Sequence, residues 1–476
     1  MEIIIGRGHE LSILKKSYSS SRSEFVAVYG RRRVGKTFLI REFFKNNFSF
    51  HCSGLADEKM KAQLKNFNIA LSKYAQKSVP LVDNWLDAFE QLIVVLESCT
   101  EKRKVVFLDE LPWMDTAKSG FIAALEHFWN DWASARKDIV LIVCGSATSW
   151  MMDKLIGNKG GLHNRLTNRI WVKPFTLSEC ESYFKSRRIK MSRYQIAECY
   201  MIMGGIPYYL DYIDRDFSLS ENIDRLFFQE GGQMRDEFDN LYSALFRNSQ
   251  QYEKVVELLS KKGMGLSRDE LSSVKKGKSG SGLTTILKNL EKCGFIRSYL
   301  SYGQKSRNKL YQLVDPYTLF YFHFIRSGRY NDNHFWTKAQ LSGELNAWRG
   351  YSFEMLCLYH EQQIKNVLGI SGVMTNVSSW RSKVIEKGIR GAQIDLLIDR
   401  KDGYVNLCEM KYSKKEFSID SKEREELENK IAAFQRETKS KQTVLLTMVT
   451  TFGVKVNSHS DIIQNTVVLD DLFRSI

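Results

Sequence analysis

Gly30–Thr37, GRRRVGKT, narrows more than any other segment what this chain can fold into. It follows the apolar run Phe25–Tyr29 and matches G-x-x-x-x-G-K-[ST], a turn that cradles phosphate when a strand feeds it and a helix leaves it. Glycines let the backbone close on the anion with its N–H groups turned inward. The helix that follows presents the positive end of its dipole. Gly30, Arg31, Arg32, Arg33, Val34, Gly35, Lys36, Thr37 and Phe38 are therefore expected around a nucleotide. Lys36 is assigned to the β and γ phosphates and Thr37 to Mg²⁺. The three loop arginines are expected to be solvated or structural.

Two further apolar runs, Lys104–Leu108 and Asp138–Cys144, lack alternation. Such runs suit strands buried on both faces of a parallel sheet. Strands separated by helical stretches imply a doubly wound α/β domain, placed at residues 1–175. VVFLDE ends the second run in two acids. Asp109 is expected to hold Mg²⁺, and Glu110 to orient and activate the attacking water; a helix-start acid is the plainer reading of Glu110. Ser146, after the third run, is either a γ-phosphate sensor or part of a simple turn. Arg165 and Arg169 are either surface arginines or candidates for an arginine finger acting from a neighbouring subunit, which implies a homo-oligomer. ATP and Mg²⁺ are the expected cofactors.

The remaining chain divides by pattern. Residues 176–247 read as a small all-helical lid interrupted by GGIP at Gly204–Pro207. Residues 248–314 have the order of a winged helix-turn-helix. The helices are Tyr252–Leu259, Arg268–Val274 with Ser267 as N-cap, and Leu283–Cys293; Phe295–Leu300 and Lys309–Val314 form a hairpin. Leu283, Ile286, Leu287 and Leu290 recur at helical spacing and should face a core. Thr284, Thr285, Lys288 and Lys292 then point outward, flanked by Lys275, Lys276 and Lys278, with Lys305, Arg307 and Lys309 on the wing. A basic helix and wing suit DNA, although such modules also make plain protein contacts. The formal charge of +15 favours a polyanionic partner. Residues 315–347 read as a helical connector. Eight cysteines without close pairs, no signal-like start and no bilayer-length apolar run point to a cytoplasmic protein without a membrane partner.

Residues 348–476 form a second α/β unit, with a helix at Tyr351–Leu368, strands at Ala392–Ile398, Val405–Met410 and Thr443–Thr447, and a helix at Arg424–Arg436. Asp395 interrupts one apolar strand; Glu409 and Lys411, two apart, share a face of the next. Glu354, on the preceding helix, supplies a third carboxylate. Asp395 and Glu409 as ligands of a hard cation, with Lys411 beside the reacting phosphate, would form a phosphodiester-cleaving site. A salt-bridged structural group is the alternative. Gln435 is expected on a solvated helix face.

The strand–GRRRVGKT–helix, FLDE, the GS after the third strand and GGIPYYL together resemble the archaeal-type AAA+ ATPases, over nearly the whole chain. The opening IIIGRGHEL resembles their N-terminal box. The resemblance implies Gly6 and Arg7 near the adenine, Ser146 as sensor and Arg165 or Arg169 as finger. It also implies a winged helix and a C-terminal domain similar to the PD-(D/E)xK nucleases. By that likeness, Asp395 and Glu409 are metal ligands, Lys411 is the motif lysine and Glu354 the helical acid. The leading Pro-Asp of that motif is absent, since Ile394 precedes Asp395. Two functions remain open: an ATP-driven DNA-processing nuclease, or a regulatory ATPase scaffold with a silent terminal domain.

Overall fold

The computed structural model describes residues 4–146, 150–157, 160–162, 164–246, 248–273, 280–304, 308–330, 332–382 and 391–475. Lys275, Lys276, Lys278, Lys305 and Arg307 lie outside these. The chain forms two compact units, Met1–Pro174 and Phe175–Ile476.

The first unit is built on five parallel strands: β1 (Glu24–Tyr29), β2 (Phe50–Ser53), β3 (Lys104–Asp109), β4 (Ile139–Gly145) and β5 (Asn168–Trp171), in the order β2-β3-β4-β1-β5. β3 and β4 are buried along their whole length, as continuous apolar strands must be. The longer helices are α1 (Gly8–Tyr18), α2 (Lys36–Phe44), α3 (Met60–Ala75), α4 (Trp85–Ser98) and α5 (Phe121–His127). Asn84 caps α4 by accepting the Asp87 N–H at 2.9 Å. Phe50, Phe67, Trp85, Phe89 and Phe121 then fill the space between α3, α4, α5 and the sheet. Trp85 and Phe121 meet edge to face, with ring centroids 4.8 Å apart.

The second unit starts with α6 (Leu177–Ser186) and α7 (Arg193–Met203). Reciprocal capping boxes, Thr176 with Glu179 and Ser192 with Gln195, set both starts. The GGIP break has a steric cause: a Cβ on Gly205 would lie 1.9 Å from the Phe175 carbonyl oxygen, which the backbone passes closely. Next come α8 (Ser249–Ser260), β6 (Leu266–Ser267), α9 (Arg268–Ser273), α10 (Gly280–Lys292), β7 (Ile296–Tyr299) and β8 (Leu310–Leu313). The three strands form an antiparallel sheet ordered β6-β8-β7. Ser267 and Glu270 exchange hydrogen bonds of 2.8 and 3.2 Å at the start of α9. Leu283, Ile286, Leu287 and Leu290 are buried, while Thr284, Thr285 and Lys288 are exposed.

The C-terminal part of this unit holds α11 (Gly343–Tyr359), α12 (Glu361–Val367), β9 (Thr375–Arg381), β10 (Gln393–Arg400), β11 (Tyr404–Lys411), α13 (Ser421–Thr438), β12 (Thr443–Thr450) and β13 (Asn465–Val468). Its sheet runs β13-β12-β11-β10-β9: β10 is antiparallel to both neighbours, and β11, β12 and β13 are parallel. The single helix expected over Tyr351–Leu368 is two helices, broken at His360. There the backbone leaves helical geometry, the His360 Nδ1 lies 2.8 Å from the Leu356 carbonyl oxygen, and Nε2 accepts the Leu177 N–H at 3.1 Å. The β7–β8 hairpin is anchored to this sheet. Tyr302 donates its N–H to the Ser379 oxygen at 2.8 Å and packs its ring tilted against Phe434, with centroids 5.1 Å apart. Deeper in, Arg349 Nε donates to Glu198 at 3.1 Å, tying α11 to α7 through a buried ion pair. No described helix is long and apolar enough to cross a membrane.

His360 gives the fold a pH dependence. Its two bonds require a neutral ring, and burial lowers its pKa from the ordinary 6.5 to about 4, against the Leu356 hydrogen bond. A depressed folded-state pKa means stability that is complete above the unfolded value and lost as pH falls toward the folded one. Urea unfolding should therefore show wild type losing about 3 kcal/mol more than His360→Gln between pH 7 and pH 4. Parallel pH profiles for the two proteins would refute this.

Candidate nucleotide and carboxylate sites

The phosphate loop joins β1 to α2 with three positive-φ residues: Gly30 at 149°, Arg33 at 73° and Gly35 at 87°. A Cβ on Gly30 would lie 2.3 Å from the Val172 oxygen, so glycine is required there. Lys36 opens α2, is 5% exposed and donates its ammonium to the Arg31 carbonyl at 2.9 Å. Thr37 donates its hydroxyl to Asp109 Oδ2 at 2.9 Å, and Asp109 is 3% exposed at the end of β3. Its other oxygen accepts the Glu110 N–H at 2.9 Å. Glu110 has a left-handed backbone (φ 47°), a conformation that costs on the order of 1–3 kcal/mol and marks sites where its neighbours over-determine it. Its carboxylate accepts the Ser146 hydroxyl at 2.8 Å. Lys36, Thr37, Asp109, Glu110 and Ser146 thus meet at the carboxyl ends of β1, β3 and β4, where open α/β sheets bind ligands.

Arg31 is buried, as a structural side chain would be, whereas Arg32 and Arg33 are half-buried and Phe38 is exposed. Val34 is buried beneath the loop. Arg7, itself in a left-handed conformation, donates to the Val34 oxygen at 2.9 Å and the Lys173 oxygen at 2.7 Å. It ties the N-terminal segment to the loop. Arg165 and Arg169 are both exposed, the first just before β5 and the second on it. Asp109 and Thr37 are hard oxygen donors in direct contact, and their chemistry fits Mg²⁺.

The second site lies in the C-terminal sheet. Leu396 pairs with Cys408, which brings Asp395 of β10 and Glu409 of β11 to neighbouring cross-strand positions. The pairing of β10 with β9 shifts register between Ile394 and Leu397, the stretch that carries Asp395. Glu354 approaches from α11. Burial, then the charges of Asp395 and Glu409, push its carboxyl up to about 8. Burial, reinforced by Glu409, also raises Asp395, against a 2.6 Å hydrogen bond from Gln393 and the charges of Lys430 and Arg297. Lys411 Nζ lies 3.4 Å from Glu409 Oε1 and is also paired with Glu423.

Sequence reading missed three groups here: Lys430, Glu423 and Arg297. Lys430 donates to Glu409 Oε2 at 2.6 Å. A signal was available, since Glu423, Leu427, Lys430 and Phe434 follow a 4-3-4 spacing and mark the inward face of α13. Gln435 is exposed on that helix. Carboxylate oxygens fit a hard divalent cation by chemistry. Among the described residues, however, no three acidic, His or Cys side chains converge closely enough to hold a metal.

Residues 5–213 match the family model described as an ATPase domain predominantly from Archaea. An uncharacterized protein of Methanocaldococcus jannaschii is 24% identical over 408 residues, spanning 83% of this chain and 84% of its own. An uncharacterized ATP-binding protein of the same organism is 39% identical over 44 residues, which cover 9% of this chain and 75% of its own. Among solved structures, a Walker-type ATPase of Pyrococcus abyssi is 18% identical, covers 67% of this chain and 96% of its own, and has a TM-score of 0.48. The ORC2 protein of Aeropyrum pernix, solved in ADPNP–ADP complexes, is 14% identical, covers 70% and 95%, and has a TM-score of 0.41. The family match lies over the phosphate loop and its paired acids, so the N-terminal region is similar to archaeal ATPase domains of the P-loop kind.

Proposed function

We propose that this protein hydrolyses Mg-ATP in its first unit and uses its second to bind and cleave DNA. The observation that carries the ATPase reading is the Lys36–Thr37–Asp109–Glu110 constellation. Lys36 would exchange the Arg31 carbonyl for the β and γ phosphates, and Thr37 and Asp109 would hold Mg²⁺, which offsets phosphate charge. Glu110 would orient the attacking water, with Ser146 fixing its carboxylate through the bond they already share. The exposed Arg165 or Arg169 would complete the site of a neighbouring subunit. Lys36→Ala should weaken ATP binding at least 100-fold in calorimetry, because several charge-assisted bonds of about 1.5–3 kcal/mol converge there. Glu110→Gln should keep ATP affinity while slowing turnover on the order of 10²–10⁴-fold. ATP affinity unchanged in Lys36→Ala would remove the assignment.

We read 248–314 as a winged helix-turn-helix following a helical lid at 176–247, and 348–476, after the connector at 315–347, as a PD-(D/E)xK-like domain. The outward Thr284, Thr285, Lys288 and Lys292 support DNA contact through α10. If phosphates are the contact, log affinity should fall linearly with log salt, with a slope of roughly −0.9 per phosphate neutralised. A flat response points to a protein partner.

Cleavage would fall to Glu354, Asp395, Glu409 and Lys411. When bound, Mg²⁺ would polarise the phosphodiester and acidify a water. Asp395 and Glu409 would hold the ion, Glu354 would hold or pass a proton, and Lys411 would face the developing charge. With Mg²⁺ or Mn²⁺, wild type should nick plasmid or branched DNA, and Lys411→Ala should lose at least 100-fold of that rate with its fold retained. The lysine ammonium resting on Glu409 favours a second reading, in which the terminal domain binds DNA or protein without cutting it. Wild type that cuts nothing with either metal would select it.

A further inference from the structure

β5 is an edge strand of the first unit's sheet, and its side chains alternate. Ile170 and Val172 are buried, whereas Arg169, Trp171 and Lys173 face solvent. Residues two apart on a strand share a face, so two cations bracket one indole over about 13 Å. Trp171 is 49% exposed, the only exposed one of the chain's nine tryptophans, all of which lie among the described residues. Leaving so large an apolar ring in water forfeits the burial that the other tryptophans obtain. Tyr29 braces the indole from β1, where the two residues pair in register; their rings are 3° from parallel, with centroids 6.5 Å apart. Lys173 Nζ stands 4.7 Å over the indole. The charge along this stretch has one sign. From Lys154 to Ser178 the sequence carries Lys154, Lys159, Arg165, Arg169 and Lys173 but no Asp or Glu.

We propose that the Arg169–Trp171–Lys173 face of β5 binds single-stranded nucleic acid, with one base stacked on the Trp171 indole and the flanking phosphates resting on Arg169 and Lys173. A flat ring set between cations suits unpaired bases, whose π-faces are free, joined by a polyanionic backbone. A duplex hides those faces inside its own stack, so this surface selects single strands. An acidic protein would satisfy the cations and leave the indole face unused. Lys173 occupies that face in the free protein; its flexible stem lets the ammonium move to the phosphate beside a stacked base. The surface belongs to the first unit and is separate from the α10 contact proposed above, so each stands or falls alone.

Fluorescence anisotropy of the nucleotide-free full chain, with labelled oligothymidylate, oligouridylate and a duplex of equal length, tests this. Trp171→Ala should bind the single strands about 5-fold or more weakly than wild type, and Trp171→Phe should stay within about 3-fold, because stacking needs only an aromatic face. Duplex affinity should be unchanged in both. Trp171→Thr, a β-branched residue suited to an edge strand, serves if the alanine variant does not fold. Arg169→Gln combined with Lys173→Gln should reduce the slope of log affinity against log salt by about 1.4, at about 0.7 per phosphate on a single strand. The tighter of the two single strands tells whether DNA or RNA is the ligand. Single-strand affinity that is unchanged in Trp171→Ala and Trp171→Thr, or that falls equally in Trp171→Phe, overturns the stacking surface and leaves the α10 reading untouched. Wild type that binds neither single strand also overturns it and points to a protein on this face.

Discussion

Lys36 is a charged group almost sealed from solvent, and a buried ammonium is costly unless oxygen atoms receive it. That constraint organises the first unit. The loop carbonyl of Arg31 accepts one hydrogen bond, and the loop can offer it only because Gly30, Arg33 and Gly35 take left-handed or glycine-specific conformations. Those conformations in turn need β1 held between β4 and β5, with Val172 passing close over Gly30. The aromatic packing of α3, α4 and α5 fixes the sheet, and the sheet carries Asp109 to within a hydrogen bond of Thr37.

The second unit solves the opposite electrostatic problem, an excess of buried negative charge. Burial and neighbouring carboxylates raise the proton affinity of Glu354 and Asp395, and lysines on β11 and α13 compensate. Lys430 and Lys411 neutralise Glu409 from two sides. The β7–β8 hairpin docks on the same sheet through Tyr302, so the hairpin and the carboxylates share one compact unit.

Much of this was legible in the residues, for identifiable reasons. β1, β3 and β4 each carry a continuous apolar run bounded by charged residues or glycine, so they read clearly as buried strands. β2 and β5 are four residues each, with His51, Asn168 and Arg169 among them, and gave no comparable signal. β9, TNVSSWR, is mostly polar, and β13 is four residues long. The break at His360 depends on Leu177, 183 positions away, which no local pattern contains. The carboxylates and Lys411 were visible because acids interrupt apolar strands. Lys430 was hidden because a lysine on a charged helix looks solvated until the strand beneath it is known. The register shift around Asp395 likewise arises from pairing with β9, and its neighbours in sequence do not announce it.

The central claim is that the residues meeting around Lys36 hold a magnesium nucleotide. Anomalous diffraction from crystals grown with Mn²⁺ and a non-hydrolysable ATP analogue tests it most directly. The account predicts a manganese peak beside Thr37 Oγ1 and Asp109, with the γ phosphate on Lys36 Nζ. A nucleotide bound elsewhere, or a metal remote from both side chains, would contradict it.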